Sequence, residues 1–239
     1  MGFYKLFNGD CMDKLNEIPD NSIDLLLTDP PYNISRENNF DTMNGDRQGM
    51  DFGEWDKDFD LTSYISLLPR ILKENANVVI FNAWENLGVI AEACRKNHIQ
   101  MKRCLVLNKA NPAPFNRDRM FVNDVEFAIW GVYNSNDKPT KWVFNRQDPI
   151  EKCVIDTTVQ DSEFHPTMKD IKVITKLVEL LSNKGDLVLD PFMGSGTTGV
   201  SAVKNDREFI GFELSPNYCK LANDRIEAVK IEKRSELWN

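Results

Sequence analysis

Apolar residues in this chain fall in short runs that turn signals interrupt. Ile23 to Thr28 stops at Asp29-Pro30-Pro31-Tyr32, where both prolines resist a continuing ladder and Pro31 restricts Pro30. It reads as a buried strand followed by a rigid loop. Val78 to Phe81, Cys104 to Leu107, Glu126 to Val132, Trp142 to Phe144, Asp186 to Asp190 and Phe209 to Glu213 read as further strands. Between them the spacing changes to three or four. Leu87, Ile90, Ala91 and Cys94 mark one helix, and Ile171, Ile174, Leu177, Val178 and Leu181 mark another. A third runs from the glycine turn after Asp190 to about Lys204, and a fourth starts near Ser215 with Pro216 in its first turn. Strands alternating with helices, several strands being almost wholly apolar, predict an α/β fold with a mainly parallel sheet covered on both faces. Asn33 to Asp60, rich in Asn, Asp and Gly, and Asn108 to Asn123, with Pro112 and Pro114, read as irregular loops.

Composition narrows the class. With 239 residues, 41% of them hydrophobic, one core and a single domain over 1–239 are expected. Five cysteines without close pairing, and no apolar run near the start, predict a reducing, cytoplasmic setting. No segment approaches eighteen consecutive apolar residues. A net charge of −8 argues against nonspecific coating of nucleic acid while allowing a local basic groove.

Two turns carry chemistry. In Asp190-Pro-Phe192-Met-Gly194-Ser195-Gly196-Thr197, neither glycine has a side chain to keep a ligand from the backbone. Glu213 closes the next strand, placed to accept hydrogen bonds from ribose hydroxyls as in doubly wound nucleotide sites. No lysine follows the glycines, so a phosphate loop is disfavoured. Asp10, in Asn8-Gly9-Asp10-Cys11, either faces an adenine amine or simply closes a common turn. Asp29-Pro30-Pro31-Tyr32 joins a carboxylate, backbone carbonyls and an aromatic in one rigid unit, which suits a planar base bearing an exocyclic amine. Hydrogen bonds from the amine to Asp29 and the Pro30 carbonyl would favour a pyramidal nitrogen attacking an electrophilic methyl group, with Tyr32 stacked on the base. The bland alternative is a tight turn with Tyr32 in the core.

Taken together, Asp29-Pro-Pro-Tyr32 and Asp190-Pro-Phe-Met-Gly-Ser-Gly-Thr197 resemble the amino-methyltransferases that act on DNA with S-adenosylmethionine. The catalytic motif precedes the cofactor motif, as in the beta arrangement of that permuted family, and the matches run from about Gly9 to Arg225. The resemblance implies a doubly wound, seven-stranded methyltransferase-like sheet. It implies catalytic roles for Asp29, Pro30 and Tyr32. Cofactor contacts are implied for Asp10 and Cys11, for His165, Thr167 and Lys169 of the His-Pro-Thr-Met-Lys segment, for Asp190, Phe192, Gly194, Ser195, Gly196 and Thr197, and for Glu213. Asp170 departs from the family, where Pro often follows that Lys, and is expected to alter the helix start. An Asp in the first position of the catalytic motif resembles the adenine version, and the longer run to Ser35 with Gly49 to Trp55 looks like enzymes of restriction–modification systems. A homodimer and a functional link to a restriction endonuclease are expectations of the same kind.

Such chemistry on duplex DNA requires base flipping, because a stacked amine cannot reach a buried methyl donor in line. Arg95, Lys96, Lys102, Arg103, Lys109, Arg117 and Arg119 form the densest basic stretch and the expected phosphate-facing rim. Segments 108–123 and 134–161 are the expected recognition surfaces, with Asn108, Asn111, Asn116, Lys141, Trp142 and Arg146 among the candidates. Acids Asp51 to Asp60 read as a solvated lid, and His98 and His165 form no metal set with the cysteines. Three competing readings stand beside adenine methylation: cytosine amine methylation, a small-molecule or protein-amide methyltransferase, and a non-enzymatic DNA-binding module.

Overall fold

The computed structural model describes residues 3–33, 59–112, 121–136, 138, 141–158 and 169–236. The elements are β1 (Tyr4–Asn8), α1 (Cys11–Lys14), β2 (Ile23–Thr28), α2 (Leu68–Ile71), β3 (Leu72–Asn82), α3 (Leu87–Lys96), β4 (Ile99–Lys109), β5 (Val125–Tyr133), β6 (Val154–Thr157), α4 (Ile171–Leu181), β7 (Leu187–Asp190), α5 (Thr197–Lys204), β8 (Glu208–Glu213) and α6 (Pro216–Glu236). The strands form one eight-stranded sheet in the order β1-β8-β7-β2-β3-β5-β4-β6. Every neighbouring pair is parallel except the two that involve β5, so β5 alone runs against the others.

Strand side chains alternate between faces, and each face has its own apolar layer. Leu26, Val78 and Ile80 pack with Tyr64, Leu68, Ile90 and Cys94 on one side. Leu25, Leu27, Val79 and Phe81 pack on the other with Val173, Leu177 and Val178 of α4, Ala202 and Val203 of α5, and Ala222 and Ile226 of α6. The helical spacing of Ile174, Leu177, Val178 and Leu181 is thus the buried stripe of α4. Ile171, by contrast, is exposed. From β7 the chain crosses to β8 on one side, and from β2 it crosses to β3 on the other. A crevice therefore opens between the carboxyl ends of β2 and β7, the usual ligand site of open α/β sheets.

The strand count differs from the seven expected. Trp142 to Phe144 is not a strand: Asn77 Nδ2 donates to the Val143 carbonyl at 2.9 Å, and Trp142 and Phe144 lie against the Trp130 ring with centroids 6.4 and 5.5 Å away. The segment covers a sheet face instead of joining the ladder. The edge strands β1 and β6 lie outside that set; both are short and neither has a fully buried residue.

A Cβ at Gly199 of α5 would lie 2.6 Å from both the Ile226 Cδ1 and Phe209 Cε1 atoms, and Phe209 is fully enclosed. Gly199→Val should therefore lower the unfolding free energy by about 1–3 kcal/mol, the usual cost of overpacking. Urea denaturation checks this; a midpoint at or above that of the unsubstituted protein would show that the core yields.

Candidate active site

The crevice is closed at its base by a hydrogen bond across the two central strands. Thr28 Oγ1, the last side chain of β2, donates to Asp190 Oδ1 at the end of β7 at 2.8 Å. Asp190 is 3% exposed and also accepts from the Phe192 N–H at 3.1 Å. Burial raises its carboxyl to about 7 although the Thr198 and Thr28 hydroxyls and the Phe192 N–H oppose the shift, and nearby Asp29 adds to the rise.

Asp29 follows Thr28 in the chain, near enough to Asp190 for its charge to act on it. Its Oδ1 accepts from the Tyr32 hydroxyl at 2.6 Å and its Oδ2 from Lys169 Nζ at 2.6 Å. Lys169 also donates to the Tyr32 hydroxyl oxygen at 3.2 Å and lies 3.4 Å from Glu126 Oε2 on β5. Glu126 Oε1 in turn pairs with Lys109 Nζ at the end of β4, 2.9 Å away. Burial by itself would lower the Lys169 pKa, but Asp29, Tyr32 and Glu126 outweigh it and hold the ammonium well above its ordinary value. Burial by itself would raise Glu126, and the two lysines reverse the shift. Burial and the Asp29 charge push the Tyr32 hydroxyl well above its usual range, so it is a donor here.

The loop backbone is held from the end of β3 and the turn that follows it. Asn86 Nδ2 donates to the Tyr32 carbonyl at 2.6 Å and to Asn82 Oδ1 at 2.7 Å, while Asn82 Nδ2 reaches the Pro31 carbonyl at 3.4 Å. Asn33 adopts φ 54° and brackets the Phe59 backbone, donating to its carbonyl at 2.6 Å and accepting from its N–H at 2.9 Å. The acidic stretch 51–58 lies outside the described residues.

Beside the acceptor loop, the glycine turn and the ends of β8 and β1 form a second wall. Gly194 has φ 51° and open space where a Cβ would point; Gly196 has φ 82°, and a Cβ there would meet Ala222 Cβ at 2.6 Å. Only glycine satisfies both positions without strain. Glu213 Oε2 accepts from the Gly194 N–H at 3.0 Å and Oε1 from the Ser215 N–H at 2.7 Å. Burial raises its carboxyl while those N–H groups oppose the shift. Each carboxylate oxygen keeps a further acceptor site, as a ribose diol requires. Gly9 N–H bonds to the Glu213 carbonyl at 2.9 Å, bringing Asp10 alongside, where Asp10 caps α1 through the Met12 N–H at 2.8 Å. Arg225 Nη1 donates to the Ser195 carbonyl at 2.5 Å and to Ser195 Oγ at 2.9 Å, bracing the turn from α6. The open glycine, the ribose acceptor and the adjoining Asp10 fit a nucleoside-bearing cofactor.

The other sequence-predicted residues have the following settings. Lys169, expected on the cofactor side, has its ammonium at Asp29. The Cys11 side chain is packed in the core with its thiol pushed up to about 12, by burial first and by Asp10, so a thiolate is not available. Ser195 and Thr197 are nearly buried, and Phe192 sits edge-on to Tyr64 and Phe59 at 5.2 and 5.4 Å. Asp170, in place of the family Pro, caps α4 through the Lys172 N–H at 2.9 Å and accepts from the Thr157 hydroxyl at 3.0 Å. His165 and Thr167 lie outside the described residues, as do Asn116, Arg117 and Arg119. Glu126, Asn82, Asn86 and Arg225 were not legible as site residues. Glu126 offered one weak signal, a lone acid at the head of an apolar strand.

Among the described residues, the basic stretch does not form one rim. Arg95 and Lys96 end α3, pair with Glu92, and lie next to the start of β4, whereas Lys109 ends β4 and points into the site. An eleven-residue strand separates these ends by roughly 30 Å. Lys102 lies over the Trp142 ring at 4.2 Å, on the segment packed against Trp130.

The raised Asp190 carboxyl makes a stability prediction. A group that holds its proton more tightly when folded contributes stability that is fully present below its ordinary value of 3.8 and is lost as pH rises through about 7. Asp190→Asn should therefore gain stability relative to the unsubstituted protein between pH 5 and pH 8. Unfolding free energies of both proteins at the two pH values check this; a pH-independent difference would contradict it.

Comparison with known proteins identifies the family. The DNA methylase family matches residues 23–224. The chain is 28% identical to the type II methyltransferase M2.MboI of Moraxella bovis, over 98% of this chain and 91% of that protein. It is 31% identical to the type II methyltransferase M.HinfI of Haemophilus influenzae, over 94% of this chain and 68% of that one. The crystal structure of the M1.HpyAVI–SAM complex superposes with a TM-score of 0.76 at 28% identity, covering 94% of this chain and 99% of that one. The chain belongs to the DNA methylase family, the S-adenosylmethionine-dependent N6 and N4 amino-methyltransferases of DNA.

Proposed function

We propose that this protein methylates the N6 amine of adenine at specific DNA sites, within a restriction–modification system. The observation that carries the reading is the placement of Asp29-Pro30-Pro31-Tyr32 at the end of β2, one strand from the glycine turn that follows β7. An amine acceptor and a nucleoside-binding wall share one crevice. Aspartate at the first position of the acceptor motif supports adenine over cytosine, and the type II relatives support the restriction–modification setting.

Asp10, Gly194 and Glu213 would hold the adenosine part of S-adenosylmethionine, which supplies an electrophilic sulfonium methyl group. Arg225 keeps Ser195 and Thr197 in place behind the turn. A flipped adenine stacks on Tyr32, recovering part of the stacking lost from the duplex, about 1–3 kcal/mol for a base on an aromatic ring. To do so it displaces the Tyr32 hydroxyl from Asp29 Oδ1. That oxygen and the Pro30 carbonyl then accept the two amine protons, which favours a pyramidal nitrogen with its lone pair aimed at the methyl carbon. As the nitrogen–carbon bond forms, the carbon–sulfur electron pair stays with sulfur, and the nitrogen loses a proton to Asp29 or to water. Asp29 acts first by position and charge; the acidic product ammonium makes strong basicity unnecessary. Segments 108–123 and 134–161 would supply the DNA contacts, the first being anchored beside the site by Lys109.

Asp29→Ala should preserve the fold and S-adenosylmethionine binding while lowering single-turnover transfer about 100-fold or more, the scale of removing an aligned electrostatic contact. Transfer to unmethylated genomic DNA, followed by nucleoside mass analysis, should give N6-methyladenine in a repeated sequence context. N4-methylcytosine would overturn the base assignment, and equal rates for the Asp29→Ala variant at matched occupancy would overturn the role of Asp29.

A further inference from the structure

Asp29 has two oxygens in unlike settings. Oδ1 accepts a hydrogen bond from a neutral hydroxyl, that of Tyr32, which an entering base can displace. Oδ2 is held by a lysine ammonium at 2.6 Å, and charge-assisted bonds of this kind are roughly twice as strong as neutral ones. The side chain of that lysine is only 11% exposed, and three acceptors surround its three protons: Asp29 Oδ2, the Tyr32 oxygen and Glu126 Oε2. Behind it, Glu126 is itself fixed by Lys109. The result is a row of alternating sign, Asp29, Lys169, Glu126 and Lys109, drawn from the β2 loop, the approach to α4, and the facing ends of β5 and β4. Asp190 is near enough to Asp29 to feel its charge, and the rings of Tyr32 and Phe81 flank the ammonium at 5.3 and 5.5 Å. No polar atom of the glycine turn or of Glu213 is among the contacts of Lys169 in the described residues.

We propose that Lys169 is a positioning residue for Asp29, clamping one carboxylate oxygen so that the other faces the amine of the target base, with Glu126 and Lys109 holding the clamp in place. The proposal rests on the reading of Asp29 as the amine acceptor. It moves Lys169 from the cofactor wall to the acceptor wall and gives Glu126 a function. A lone carboxylate on a two-proline loop can rotate about its side-chain torsions, and small misplacements of a reacting group cost rate steeply. The clamp removes that freedom while leaving the amine-facing oxygen exchangeable.

Two measurements test it, one independent of catalysis. Trace acetylation of lysines, read by peptide mass spectrometry, should find Lys169 protected in the unsubstituted protein. It should be labelled about tenfold faster in Asp29→Asn, with S-adenosylmethionine making no difference. Protection by S-adenosylmethionine and indifference to Asp29→Asn would overturn the proposal, whether or not the protein methylates adenine. Single-turnover transfer at saturating DNA and S-adenosylmethionine, with cofactor affinity by calorimetry, is the second. Lys169→Met should lose about 100-fold in rate with cofactor affinity changed less than threefold, and Lys169→Arg should recover to within about tenfold of the unsubstituted rate. The double variant K169M/E126Q removes opposite charges together; recovery of transfer would reduce Lys169 to charge balance and overturn the clamp. A tenfold loss of cofactor affinity with an unchanged saturated rate would also overturn it. If Lys169→Met does not fold, the labelling and Lys169→Arg still decide. If the unsubstituted protein methylates no DNA, the functional reading fails while the labelling still judges the partner of Lys169.

Discussion

The parallel pairing of β2 with β7 is the constraint on which the rest of the site depends. Leu25 and Leu26 lie opposite Val188 and Leu189, so Thr28 ends β2 one residue beyond the level of Asp190, within reach to bond to it. The chain then departs in opposite directions, and the crevice this leaves is bounded on one side by a proline-stiffened acceptor and on the other by a glycine turn. Both walls are backbone features at strand ends. Their separation is set by the hydrogen-bond spacing of a buried sheet, not by mobile side chains, and an in-line transfer needs that rigidity.

Charge is handled differently on the two walls. At the cofactor wall the acids meet neutral donors: backbone N–H groups for Glu213 and for Asp10, hydroxyls and an N–H for Asp190. Glu213 and Asp190 are raised by burial. At the acceptor wall Asp29 meets a lysine, and Glu126 is held below its ordinary value by Lys169 and Lys109. Burying isolated charges is expensive, and the alternating row offsets that cost locally by leaving no net charge among its four members. Such a row adds little to stability compared with packed apolar side chains. What it adds is a fixed orientation, which suits a carboxylate whose job is to hold an amine.

Much of this was readable from residue order. The apolar runs ending at Asp29, Asp190 and Glu213 located three central strands, the three-or-four spacing located α3, α4 and the start of α6, and the motif pair identified the chemistry, because glycine and proline act through local backbone geometry that sequence encodes directly. The edge strand β6 escaped notice since exposed and partly covered residues alternate along only four positions and leave little apolar pattern. Trp142 to Phe144 misled for the opposite reason: an apolar run looks the same whether it pairs with a strand or covers one.

The sequence by itself determined the doubly wound class, the two chemical turns and the family, since each depends on neighbours within a few residues. Only the tertiary structure decided which side chains meet across the crevice. Lys169 stands 140 residues from Asp29 in the chain, and Glu126 and Lys109 come from two other strands. It likewise separated Lys109 from Arg95 and Lys96, which are close in sequence but lie at opposite ends of one strand. The physical reason is the same in each case: ion pairing depends on distance in space, and a sheet that reorders its strands makes distant residues neighbours and near ones strangers.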